Sequence, residues 1–427
     1  MPPTPASAAA PAPRLAGRWN IAVLLSLGVL VNYFDRVNLT VSHDAIVARF
    51  GLSELTFGLL AGAYNWTYAL CQLPSGYLLD RFGVRRVGCV STFLWSIASF
   101  AAAVTPGIGG FFGARFLLGI GEAPTFPANA KAIGYWFPPR ERSFATGLFD
   151  SSAKFSSAIG VPLIGLLLLR IGWRLSFAAT GLLSLVFFLL FFWIYRDPHP
   201  DHRSFTEEAA RPRIHHRVPL SYLFRQRKVI GLALGMGSYN YTFYLLLTWL
   251  PVYLSRTLHL NLGRSFLYTG VPWLFATVAD LFVGGWLVDA LIRRGRSPSA
   301  VRRTVLITGL TLGLGILGAA HAHSLAHALF WISVSIGGLS AASPVGWSVP
   351  SLIAPGDSVG SVGGIMNLSN QISGIVAPAV TGYLVGTRHS FTAAFAVAGA
   401  YLVIGIAGYI FLLGEIRPVA MPEKQAA

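Results

Sequence analysis

Apolar blocks too long for a soluble core recur along this chain, and they constrain its fold more than any single motif. Twelve can be marked off, with cores near 19–39, 55–79, 87–105, 108–134, 144–169, 174–195, 229–254, 265–291, 303–321, 325–350, 359–386 and 391–413. Each offers about the 20 residues that carry a helix across bilayer hydrocarbon. Only 11% of the 427 residues are charged, against about 25% in soluble domains, too few to coat two or three soluble cores. The expected fold is an all-α membrane protein of twelve transmembrane helices.

One long polar stretch, around 196–228, divides the blocks into six and six. The expected organisation is a disordered cytoplasmic tail at 1–18 and a six-helix bundle at 19–196. A basic cytoplasmic linker at 197–228, a second six-helix bundle at 229–414 and a tail at 415–427 complete it. The first apolar run is long and carries charges, so it does not read as a cleavable signal. Cys71 and Cys89 lie inside apolar blocks and imply no disulfide framework.

The net charge of +16 does not point to nucleic acid, because the basic residues fall in short loops between apolar blocks. With both termini cytoplasmic, 22 of the 32 Lys and Arg lie inside and six outside (Arg49, Arg170, Arg174, Arg256, Arg264, Arg388). The positive-inside rule therefore places both ends in the cytoplasm. A multi-pass protein of the inner, or plasma, membrane is expected.

The two halves share a repeat. Gly76, Asp80, Arg81, Gly83, Arg85 and Arg86 stand between segments 2 and 3; Gly285 and Asp289, followed by Arg293, Arg294 and Gly295, stand between segments 8 and 9. Glycine lets two helices approach closely, aspartate can cap the next helix, and arginines hold the loop in the cytoplasm. These residues are read as a gating and structural motif. The Gly76–Arg86 stretch resembles the signature loop of the major facilitator superfamily, which implies that fold with its two six-helix bundles.

A narrower resemblance spans most of the chain. Asn32–Arg36, Arg115 with Gly119–Pro127, and Trp136–Pro138 with Arg140, Glu141 and Arg142 are similar to the anion:cation symporter family. So are Leu247–Tyr253 and Asn367 with Gly374 and Pro378. That family includes proton symporters for galactonate, glucarate and hexuronates, and animal sialic acid and glutamate transporters. The resemblance implies that Asp35 and Glu122 handle protons and that Arg36 and Arg115 hold a carboxylate. It also makes Tyr64, Trp347 and Asn367 substrate contacts.

Elementary electrostatics reaches the same positions. Charges within hydrocarbon are costly, so they pair, line a cavity and mark an ion or substrate path. Arg115, Glu122 and Asn129 are seven apart and fall on one helix face; Asp35 and Arg36 diverge by about 100° and cannot share a partner. Pairing acids with bases across segments 1 and 4 is one economical arrangement. Purely structural bridges are the plainer alternative, but buried pairs stabilise poorly, which favours a transport role. With Lys154, the five central charges sum to +1, or +3 with both acids protonated, so protonation strengthens the hold on an anion.

Lys154 departs from the sugar-acid relatives. It can pair with Asp150 at i−4, or, by an internal alignment matching Gly147, Asp150 and Lys154 with Gly364, Asn367 and Gln371, face the cavity. Both readings stand at this stage, and Gln371 joins the substrate-contact candidates. Asp280 lies mid-segment without an obvious partner. Asn240, Tyr244 and Thr248 are four apart and suit either a polyol or helix packing. No phosphate-binding glycine loop occurs, and His321, His323 and His327 lack the acids or thiols of a metal site.

The expected function is proton-coupled symport of a small organic anion, most simply a sugar acid, with no cofactor beyond the proton and no enzymatic activity. The alternatives are an uncoupled facilitator or sensor, and an organic-anion antiporter of the same fold. The expected partners are the anion and the lipid bilayer, without nucleic acid, and the expected state is a monomer.

Overall fold

The structure, a computed structural model, describes residues 17–137, 139–197, 218–355 and 358–421, without the side chains of Leu73, Asp80, Pro139, Arg140, Arg142 and Ser143. The expected tails 1–18 and 415–427 and the linker 197–228 lie partly outside the described residues, as does the motif side chain of Asp80. Among the described residues all regular structure is helical, with no strand.

The N-terminal half comprises α1 (Arg18–Val41), α2 (His43–Phe50), α3 (Glu54–Val104), α4 (Ile108–Glu122), α5 (Thr125–Trp136) and α6 (Pro139–Ile194). The C-terminal half includes α7 (Arg227–Thr257), α8 (Leu262–Ala279), α9 (Pro298–Gly313), α10 (Leu325–Ile353), α11 (Val359–Arg388) and α12 (Thr392–Ala407), with further short helical pieces at Leu220–Leu223, Gly315–Ala319 and Gly408–Leu413. α8 runs through a π-helical turn, Asp280–Leu287, into a last helical turn, Val288–Arg293. Among the described residues, seven helices are long and apolar enough to cross a bilayer, or eight if α2 and the start of α3, bent by 117°, form one span.

Two long helices break where the sequence predicts loops. α3 is interrupted at Gly83 (φ 81°, ψ 169°) and α6 at Gly172 (φ 77°, ψ 167°), left-handed conformations that glycine adopts without a Cβ clash. Segment 4 differs from expectation, since it is two helices rather than one. α4 stops at Glu122 and α5 starts at Thr125, because Pro124 supplies no backbone N–H. The freed polar groups are satisfied laterally: Gln72 Nε2 donates to Ala123 O at 3.3 Å and Ser91 Oγ to Gly121 O.

Large apolar side chains are exposed on the surface, and several charged ones lie inside. Leu70, Val104 and Phe411 are at least 70% exposed, whereas Asp35, Arg36, Arg115, Glu122, Lys154 and Asp280 are all buried. Such an inside-out distribution suits a hydrocarbon solvent.

The halves meet along two seams. A Cβ on Gly58 would lie 2.3 Å from Pro378 O, and one on Gly382 would lie 2.2 Å from Glu54 O, so α3 and α11 touch backbone to backbone. A Cβ on Gly270 would lie 2.4 Å from Ala158 O, which joins α6 to α8. Asn65 Nδ2 donates to Gly374 O at 2.9 Å, and Thr40 Oγ1 to Leu247 O at 3.1 Å. These contacts seal the end that carries residues 42–53. At the other end the space around Gly76, Gly147, Gly360 and Gly364 is open.

Candidate functional site

α1 delivers two adjacent charges in different directions, as its helical geometry requires. Arg36 turns toward α4, where its Nε donates to Glu122 Oε2 at 3.0 Å and its Nη2 stands 2.9 Å from the same oxygen. Nη2 also donates to the Tyr64 hydroxyl. The guanidinium lies 4.4 Å from the Tyr33 ring centre, 4.6 Å from that of Tyr64 and 5.6 Å from that of Tyr68. Three aromatic faces therefore replace water around the cation.

Asp35 turns toward α6 and accepts a hydrogen bond from Ser184 Oγ at 2.8 Å. The expected exchange of ion pairs between segments 1 and 4 thus holds for Arg36 with Glu122 only. Arg115 lies over the Tyr64 ring at 5.7 Å and forms no ion pair among the described residues. Asp35 Oδ1, Glu122 Oε1, Arg115 Nε and Asn129 Nδ2 are buried and without a hydrogen-bond partner. Buried polar atoms are rarely left so, and Asp35, Glu122 and Arg115 lie within electrostatic reach of one another. That unused capacity suits an anion bearing hydroxyls.

Lys154 makes the pair with Asp150 that the spacing allows, and a second acid joins it. Its Nζ donates to Asp150 Oδ2 at 2.7 Å and stands 2.9 Å from Asp280 Oδ2. Asp280 is therefore not without a partner, as the sequence suggested; its partner comes from the other half of the chain. With Asp150 and Asp280 included, the central charges sum to −1 rather than +1, so the interior is anionic until protons or cations offset it.

The C-terminal candidates are more scattered. Gln371 is buried with Oε1 unpartnered, and so are both side-chain polar atoms of Asn370, which the sequence reading missed. Asn367 is half-buried and Trp347 is 47% exposed, and neither touches the charged cluster through a described hydrogen bond. Asn240 Nδ2 bonds back to Met236 O at 3.1 Å within its own helix, which favours the packing role.

The repeated loop is built differently from expectation. Gly76 has nothing within 4 Å of a Cβ, because the chain is open at that end. Close approach in the second copy belongs to Gly284, where a Cβ would meet Ala341 O at 2.7 Å, rather than to Gly285. Among the described residues, Asp197 meets the start of the helix after Gly83, its Oδ2 accepting from Arg85 N at 3.3 Å. Arg81 bonds to the Tyr77 hydroxyl at 3.3 Å, Arg85 lies 5.6 Å from the Phe192 ring, and Asp289 is exposed.

At the sealed end stands a cluster that the sequence did not flag. His43 Nδ1 is 2.7 Å from Asp44 Oδ1, and its Nε2 is 2.8 Å from Glu54 Oε2. Arg256, from the other half, reaches Glu54 Oε1 at 2.7 Å and Asp44 Oδ1 at 3.6 Å. Burial opposes charge on the His43 imidazole, but its hydrogen bonds to Asp44 and Glu54 outweigh it and raise its pKa above the usual 6.5. Facing acids across the loop from Arg49 and Arg256 were the available signal.

Lipid-facing apolar helices, charges gathered inside and a seal at one end define a multi-pass membrane protein with the architecture of a transporter. The chain belongs to the Major Facilitator Superfamily, whose family model matches residues 25–301. It is 40% identical over 417 residues to YybO of Bacillus subtilis, an uncharacterized transporter, covering 95% of this chain and 96% of the relative. It is 31% identical over 432 residues to a D-galactonate transporter of Escherichia coli O6:H1, covering 97% and 99%. A bacterial homologue of the lysosomal transporter Spinster, solved inward-facing and occupied, shares the fold with a TM-score of 0.74 at 19% identity, covering 92% and 96%.

Proposed function

We propose that this protein is a proton-coupled symporter that takes up a small organic anion, a sugar acid or related carboxylate, by alternating access. The observation that carries the reading is the Arg36–Glu122 pair clasped by Tyr64 in the buried interior. One guanidinium cannot fully serve both Glu122 and an incoming carboxylate. An anion that engages Arg36 leaves Glu122 as a buried acid without its cation, and such an acid takes a proton. Proton and anion then enter together. Asp35, held by a serine rather than an arginine, is the second proton carrier.

Arg115 and Tyr64 complete the carboxylate seat, while Lys154, Gln371, Asn367 and Trp347 contribute from around it. The relative named for D-galactonate supports a sugar-acid substrate. In this reading the chain crosses the inner membrane twelve times as two six-helix bundles, with both termini cytoplasmic. It works as a monomer and needs no cofactor beyond the proton. The sealed end is then the outer one, and the molecule stands inward-facing.

Uptake of a panel of radiolabelled sugar acids, dicarboxylates and aromatic acids into expressing cells tests the proposal. A sugar acid is expected to accumulate, and a proton uncoupler is expected to stop it. Transport of none of the anions sinks the reading.

A further inference from the structure

One cation in the interior holds two carboxylates. Lys154 already has a partner one turn earlier on its own helix, Asp150 at 2.7 Å, and that pair alone balances its charge. Asp280, buried on the opposite half, stands 2.9 Å from the same ammonium, at an angle too poor for a hydrogen bond. The trio carries one negative charge in excess. Tyr239 of α7 and Tyr33 of α1 are titratable groups within electrostatic reach of it. Asp280 opens the π-helical turn Asp280–Leu287, a local distortion of a kind that gathers at functional sites. The helix that carries Lys154, α6, also packs against α1, which carries Arg36. Ser156, two residues on, donates to Leu30 O of α1 at 2.7 Å, and Tyr33 is within electrostatic reach of both Arg36 and Lys154.

We propose that Lys154 is a second anion seat and that Asp280 is an internal anion which occupies it when no substrate is bound. A substrate acidic at both ends of a short carbon chain sets one group on Arg36 and Arg115 and the other on Lys154. Asp280 gives up the ammonium as the second group arrives and takes a proton from the solution that delivered the anion. The trio with its guest then keeps the same net charge. On release the proton and the anion leave, and Asp280 returns to Lys154, which ties the two halves together again. This inference rests on the anion-transport reading and adds to it a substrate class, a two-headed anion, and a proton carrier distinct from Asp35 and Glu122.

Galactarate and galactonate test it, because they differ only in whether the far carbon is a carboxylate or an alcohol. The measurement is the ratio of their affinities for the purified full-length chain. Wild type is expected to favour galactarate. Asp280→Asn removes the internal competitor, so the ratio rises about tenfold. Proteoliposome uptake of galactarate by that variant is expected to carry one proton fewer per anion. Lys154→Gln combined with Asp150→Asn and Asp280→Asn, which leaves no unpaired acid in the trio, is expected to bring the ratio to about one. A purely structural pair would change the melting temperature and leave the ratio alone. The same ratio in wild type and both variants, with galactonate still bound, overturns this inference and spares the anion-transport reading. Binding of neither anion by wild type overturns both.

Discussion

Arg36 meets Glu122 across two helices, with Nε and Nη2 both within 3.0 Å of Oε2 and with Oε1 left unpartnered. The pair is half-open by construction. One carboxylate oxygen is committed to the guanidinium, and the other is available for a proton. A purely structural bridge would gain from the fork-to-fork geometry that satisfies both oxygens.

Arg115 is expected to resist conservative replacement. Its Nε is buried and unused, and a planar fork can meet a carboxylate with two parallel bonds where lysine offers a point charge. Arg115→Lys is expected to lower the initial rate of anion uptake by about tenfold or more. Uptake at the wild-type rate would remove Arg115 from the carboxylate seat.

Lys154→Gln is expected to destabilise the fold, since it leaves Asp150 and Asp280 facing each other without a cation. Stranding a buried partner costs about 3–5 kcal/mol. Asp150→Asn alone restores part of the loss, and Asp150→Asn with Asp280→Asn restores most of it. Thermal unfolding of the single, double and triple variants measures this. Full rescue by Asp150→Asn alone would show that the bridge to Asp280 contributes nothing.

The seal around His43 is expected to weaken as the solution becomes alkaline. A raised pKa means that protonated His43 stabilises the sealed form fully below about pH 6.5, and that this contribution fades as pH rises through the raised value. Arg256, 41% exposed, adds a pair worth about 0.2–1 kcal/mol. Melting temperature followed from pH 6 to pH 9 is expected to fall in wild type and to flatten in His43→Gln. Parallel curves for the two proteins would exclude the histidine as the titrating group.

Much of this fold is legible in the sequence, because apolar runs need no tertiary context to be seen. The breaks at Gly83 and Gly172 fall between the predicted segments for the same reason. Pro124 announces the split of segment 4, yet the apolar run passes through it and hides the break. At the site, the divergence of Asp35 and Arg36 follows from helical geometry alone, and so does the Lys154–Asp150 pair. Asp280 does not, because its partner lies on the other half and only packing brings them together. The His43 cluster is hidden likewise, since Arg256 stands 202 residues from Glu54.

The central claim, that anion and proton together replace the Arg36–Glu122 pair, the anion on Arg36 and the proton on Glu122, is tested most directly in proteoliposomes with an imposed pH gradient. Uptake of galactonate or galactarate is measured for wild type and for Glu122→Gln, alongside exchange of the same anion at equal pH. Wild type is expected to accumulate the anion against its gradient when the outside is acidic. Glu122→Gln is expected to lose accumulation while it retains exchange. Accumulation by Glu122→Gln at the wild-type level would contradict the account.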